Sequence, residues 1–159
     1  MSMDTKFVES LMRMRFQTRE HSLLFNVADS PGSNLRFADA ITMSCFHCRG
    51  LFLEGYEIKI SRGDWLRELK SPEKSSVIKS FCDKWWAVAP EGIIKKDELP
   101  DDWGLYTATP DGLKIAQQAK ILAPKPVTRE FLATLMRRKT NGIDADHTFA
   151  PDLITAGGN

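Results

Sequence analysis

Cysteine is scarce in this chain, with only Cys45, Cys48 and Cys82 among 159 residues. So small and odd a number, in a chain long enough to bury a core, excludes a disulfide framework and points to reduced thiols. No apolar run approaches the roughly 18 residues that a membrane span requires, and the first sixteen residues are charged throughout, unlike a secretory leader. The expectation is a protein without membrane contact, located in the cytoplasm. Glycine (10) and proline (8) show no short period, which excludes a collagen-like or low-complexity chain. Net charge is nearly absent, +1 from 22 basic against 21 acidic residues, so no global field draws the chain to polyanions. The length fits one domain, expected over 1–139, with 140–159 as a flexible C-terminal tail.

Charge is nevertheless unevenly distributed. Residues 59–84 carry seven basic and four acidic side chains, 85–113 carry two and six, and 114–139 carry seven and one. Two basic segments therefore flank an acidic one. That pattern suits either a local phosphate-attracting face or ordinary solvated helices.

Periodicity predicts a helix over Lys6 to Phe16, then strands over Ser22 to Val27 and Phe37 to Met43, separated by the turn cluster Asp29 to Asn34. A third strand spans Leu51 to Ile60. Its alternation puts Glu57 and Lys59 on one face, leaving Ile58 and Ile60 to the core. Ser61 to Asp64 has the Ser-x-x-acid form of a helix start, and Trp65 to Lys70 continues it. Ser71-Pro72-Glu73 predicts a capped second helix running to about Cys82. Trp85 to Ala89 reads as a buried strand and 93–103 as an acidic loop. Gly104 to Ala108 and Leu113 to Gln117 read as strands around a Pro-Asp-Gly turn, and Thr128 to Lys139 as a final basic helix.

Asp39 stands alone in an apolar strand, and Glu57-Ile58-Lys59 lies on the next strand. An antiparallel hairpin would bring both carboxylates to one face. Two close carboxylates repel unless a cation joins them, and Mg²⁺ is typically held by one or two carboxylates plus water and phosphate. Lys59 could then orient an attacking water and stabilise developing charge. Acid-x-Lys also occurs at Asp4-Thr5-Lys6 and Glu68-Leu69-Lys70, so the tripeptide alone does not discriminate. An exposed cross-strand ion pair is the structural alternative.

Asp39 followed by Glu57-Ile58-Lys59 resembles the signature of the PD-(D/E)XK, restriction-endonuclease-like nucleases. The wider strings Phe37-Ala38-Asp39-Ala40, Tyr56 to Trp65, Phe81-Cys82-Asp83, Trp86 to Pro90 and Trp103-Gly104-Leu105 are similar to the MmcB-like DNA-repair group, over about residues 20–120. The resemblance implies an α/β domain with a mixed sheet flanked by helices, a Mg²⁺ or Mn²⁺ site, and DNA hydrolysis in repair, recombination or phage DNA processing. It implies Asp39 and Glu57 as metal ligands, the Ile58 carbonyl as a further ligand, and Lys59 as the catalytic lysine. Ala38 replaces the proline of the signature. Asn26 aligns where many relatives carry an acid, and Glu20 is the nearest upstream replacement.

Arg36, Ser61, Arg62 and Lys70 are the candidate DNA contacts. Arg62 could reach a phosphate from the first helical turn or pair with Asp64 or Asp83, and Ser61 reads first as a helix cap. Trp85 and Trp86 face opposite ways, so at most one could stack on a base, the alternative being core packing. Cys45, His47, Cys48 and Cys82 could supply a zinc site or remain idle thiols. Besides the nuclease stand a non-catalytic DNA-binding repair-accessory protein and a zinc-stabilised interaction module. RNA remains a further substrate class, and cutting two strands with single-site subunits favours a homodimer.

Overall fold

The computed structural model describes residues 3–32 and 35–143, with side chains through Arg138. Its centre is a six-stranded mixed sheet whose spatial order follows the chain: β1 (His21–Ala28), β2 (Phe37–Ser44), β3 (Leu53–Ile58), β4 (Lys84–Pro90), β5 (Trp103–Thr109) and β6 (Gly112–Gln117). The β1–β2–β3 meander is antiparallel, β3–β4–β5 is parallel, and β6 returns antiparallel to β5. Helix α1 (Thr5–Phe16) precedes the sheet. Helices α2 (Arg62–Lys70) and α3 (Ser76–Lys79) form the β3–β4 crossover, and α4 (Arg129–Ile143) follows β6.

Alternation sorts the strands onto two cores. On one face Ile41, Leu53, Trp85, Ala87, Ala89, Trp103 and Leu105 pack against Trp65 of α2, Ile78 of α3 and Phe131 of α4. On the other, Ala40, Tyr56, Trp86, Val88, Tyr106 and Ala108 pack against Val8, Leu11, Met12 and Phe16 of α1. Trp85 and Trp86 are both buried, one in each core, so neither is available for stacking. Each indole lies over a neighbouring strand where only glycine fits. A Cβ on Gly55 would stand 2.0 Å from the Trp85 ring, and one on Gly104 would stand 2.2 Å from Trp86.

The second crossover helix is shorter than its sequence suggests. A 3₁₀ turn, Pro72–Ser75, leads into the single turn of α3, and the Ser71 side chain makes no capping bond. Glu73, Lys74 and Ser76 interrupt the apolar spacing that would extend an inward face, leaving Ile78 as the buried anchor of α3. Helix α4 runs four residues past its expected end at Lys139, to Ile143. The remainder of the expected tail, 144–159, lies outside the described residues.

The alternating charge blocks partly neutralise one another. Arg62 of α2 holds Glu98 of the acidic loop through both guanidinium nitrogens, and Lys79 reaches Asp102. Ile94 and Leu99, bracketing Glu98, are buried in the first core. The acidic loop is thus a strap fastened over α2 and α3.

Candidate active site

Asp39 and Glu57 meet because of the β2–β3 register. Ala40 pairs with Tyr56, so Asp39 and Glu57 lie abreast one step further along, on the face covered by α2. The backbone locks this geometry, since the Ile58 N–H donates to Asp39 Oδ2 at 2.7 Å. Past the end of β3, the Lys59 N–H donates to the Val88 carbonyl at 2.9 Å, holding the lysine at the carboxyl edge of the parallel pair.

Ser61 then starts α2 as expected. Its hydroxyl accepts from the Asp64 N–H at 3.2 Å and donates to Asp64 Oδ2 at 2.8 Å. Trp65 is fully buried, and Glu68, one helical turn on, follows it to the inner side.

Glu68 is the site residue that the sequence reading passed over. Its Oε2 accepts from Lys59 Nζ at 2.8 Å, while the same ammonium donates to Glu57 Oε2 at 3.2 Å. These side chains are only 11%, 14% and 7% exposed for Glu68, Lys59 and Glu57. Glu68 Oε1 is buried with no hydrogen-bond partner among the described residues. The signal was available: Trp65 marks the inward face of α2, and three residues on is the next inward position.

Three carboxylates, Asp39, Glu57 and Glu68, thus surround one ammonium. Burial, then the Asp39 carboxylate, raises the Glu57 carboxyl from its usual range to about 8, although Lys59 opposes the shift. Burial works against the charged Lys59, but Glu57, Glu68 and Asp39 outweigh it and hold the ammonium above its ordinary range. With all four groups ionised the cluster would carry two uncompensated negative charges, which burial makes costly.

The donor set fits a hard divalent cation. Two carboxylates, with a carbonyl and waters, match the protein share of an ordinary Mg²⁺ shell. Asp39, Glu57 and the Ile58 carbonyl would hold the ion, while Lys59 separates Glu68 from Glu57. Among the described residues no group of three or more His, Cys, Asp or Glu side chains could hold a metal ion. The zinc reading fails on placement: Cys45 and Cys48 are exposed between β2 and β3, whereas Cys82, just ahead of β4, is buried in the first core. Burial raises the Cys82 thiol above its normal pKa, as befits an inert core side chain.

Asn26 lies between the pairs Phe25–Ala40 and Val27–Ala38, abreast of Asp39, exposed and with φ of 50°. Glu20 is no substitute. It binds Arg49 at 3.0 Å, beside the His21–Ser44 end of the β1–β2 pair, five residues along β2 from Asp39. The third carboxylate of the cluster, Glu68 of α2, binds Lys59 and does not take that place.

The candidate DNA contacts are dispersed. Arg62 pairs with Glu98, not with Asp64 or Asp83, and also donates to the Ile93 carbonyl at 3.1 Å. Lys70 is exposed at the end of α2, and Arg36 is exposed just before β2. In the basic α4, Arg138 donates to the Phe25 carbonyl at 2.6 Å.

No family model matches the chain. No curated protein matches it either. Among solved structures it is similar to the SPO1766 protein of unknown function from Silicibacter pomeroyi, with a TM-score of 0.61 and 15% identity over 94% of this chain and 99% of that one. At that identity the likeness establishes the α/β fold alone. Among the described residues no helix is long and apolar enough to cross a membrane.

Proposed function

We propose that the chain is a metal-dependent deoxyribonuclease, acting in the cytoplasm on DNA during repair, recombination or phage DNA processing. The observation that carries this reading is the pair of buried Glu57 and half-buried Asp39, left short of positive charge although Lys59 lies beside it. Its support from sequence is the resemblance of Asp39 and Glu57-Ile58-Lys59 to the PD-(D/E)XK signature. A bound Mg²⁺ or Mn²⁺ would acidify a water and neutralise charge on the scissile phosphate. Asp39 and Glu57 supply the carboxylate oxygens. Lys59 lies within reach of the same space and places a positive charge where the attacking water and the phosphate oxygens would stand. Glu68 holds the lysine at that spot from the helix side. Two such subunits as a homodimer would cut both strands.

A second reading is favoured by one observation. Lys59 is already engaged by two glutamates, an arrangement that also suits a purely structural ion cluster in a DNA-binding repair-accessory protein.

The test is incubation of the purified protein with supercoiled, linear and branched DNA in Mg²⁺, Mn²⁺ or EDTA, beside Glu57→Ala and Lys59→Ala. Metal-dependent cutting that disappears in both variants supports the nuclease. Binding without cutting, equal in wild type and variants, supports the accessory protein.

A further inference from the structure

A groove of about 420 Å³ at the start of β2 is lined by Leu35, Arg36, Phe37 and Lys74. Phe37 is 52% exposed at the first position of β2, a place where an unliganded aromatic ring gains little from burial. Phe37 lies two residues before Asp39 on β2, with their Cα atoms about 6–7 Å apart along the strand. Lys74 reaches the same groove from the Pro72–Ser75 turn of the crossover, so one wall belongs to the sheet and the other to the helical layer.

Some basic residues near the crossover and acidic loop are already engaged by acids. Arg62, Lys79 and Lys84 are matched with Glu98, Asp102 and Glu54. Among the described residues neither the Arg36 guanidinium nor the Lys74 ammonium pairs with a carboxylate, and no acid lines the groove. Asp29, the acid of the same hairpin, directs its Oδ1 to the Arg36 backbone N–H and the Ser30 hydroxyl. Two cations flanking an exposed ring form the combination that holds a strand by its phosphates and one base by its face.

We infer that this groove receives an unpaired stretch of a DNA strand, with a base stacked on Phe37 and phosphates at Arg36 and Lys74, and leads that strand toward Asp39 and Glu57. A base inside a duplex stack has no face to offer Phe37, so the groove selects single-stranded or flapped DNA over blunt duplex. The inference rests on the nuclease reading for the direction of the strand, but the binding itself does not depend on cleavage.

The experiment measures fluorescence anisotropy of a labelled oligodeoxythymidylate and of a blunt duplex of equal length, with full-length protein in EDTA and at several salt concentrations. The wild type is expected to bind the single strand more tightly than the duplex. Phe37→Ala and Phe37→Leu should each weaken single-strand binding by about 5- to 100-fold, as loss of one stacked base does, with the salt slope unchanged. Phe37→Trp should retain it. Arg36→Gln with Lys74→Gln should weaken binding and lower the salt slope by about 1.4, the value for two phosphates of a single strand. Phe37 and both cations are on the surface, and unchanged circular dichroism of each variant confirms folding. The inference is overturned if the wild type binds no single strand, if duplex is preferred, or if the Phe37 variants bind like wild type. Groove-dependent binding with no cutting in any metal would leave the inference standing and remove the nuclease reading. Metal-dependent cutting with unaltered binding by the groove variants would do the reverse.

Discussion

Glu54 and Glu57 are three residues apart on one strand and face opposite cores, and they are treated in opposite ways. Glu54 is surrounded by donors. Trp86 Nε1 reaches its Oε2 at 2.6 Å, the Tyr56 hydroxyl approaches the same atom at 3.5 Å, and Lys84 stands 3.9 Å from Oε1. Tyr56 is anchored in turn by Thr42 at 3.0 Å. Glu57 is instead surrounded by further acid, with Asp39 abreast, Glu68 across Lys59, and one ammonium between them. A carboxylate whose partners satisfy it contributes to the fold, whereas one crowded by other carboxylates weakens the fold and is positioned for a cation.

The largest expected effect separates the two in activity. Glu57→Ala or Lys59→Ala should lower metal-dependent cleavage by about 10²- to 10³-fold, while Glu54→Ala should retain wild-type cleavage per folded molecule, as measured by single-turnover kinetics. Stability should invert the order. Glu54→Ala leaves the Trp86 N–H buried without its acceptor and should cost about 1–3 kcal/mol in chemical denaturation.

Glu57→Gln should do the opposite and stabilise the metal-free protein by about 1–2 kcal/mol at pH 8. Below pH 4.5 the Glu57 carboxyl is protonated in both folded and unfolded chains and imposes no penalty. Between 4.5 and about 8 the unfolded chain releases a proton that the folded one retains, so this group's contribution to stability falls as the pH rises. The advantage of Glu57→Gln should therefore shrink toward pH 5, which denaturation midpoints at the two pH values would reveal.

The smallest effect concerns the strap. Hydrogen bonding to Arg62 pushes the Glu98 carboxyl down to about 2, so its contribution is present above the unfolded value of 4.5 and is lost as the pH falls toward 2. Glu98→Gln should lower the melting temperature slightly at pH 7, and the difference should close near pH 2.

Much of this was legible in residue order. Alternation from Tyr56 to Ile58 put Glu57 and Ile58 on opposite faces correctly, but the sequence left Glu57 on an open side, whereas both faces of β3 are covered and Glu57 is buried. Ser61 and Asp64 announced the start of α2, because capping is a local interaction. What was missed depends on tertiary partners. Glu68 sits in an acid-x-Lys tripeptide like two others, and only the packing of Trp65 turns it onto Lys59. Arg62 had local acids at hand, yet the bidentate geometry of Glu98, 36 residues on, prevails. The Ser71-Pro72-Glu73 start was a sound local signal that a weak apolar pattern behind it could not extend into a full helix.

Divalent-cation binding at the Asp39–Glu57 pair tests the central claim most directly. Thermal melts of wild type, Asp39→Asn and Glu57→Gln would be compared at pH 8 with increasing Mn²⁺. The account predicts a melting temperature that climbs with Mn²⁺ in wild type and stays flat in both variants, as expected when an ion binds the folded state alone. A flat wild-type response to millimolar Mn²⁺, or an equal climb in all three proteins, would contradict it.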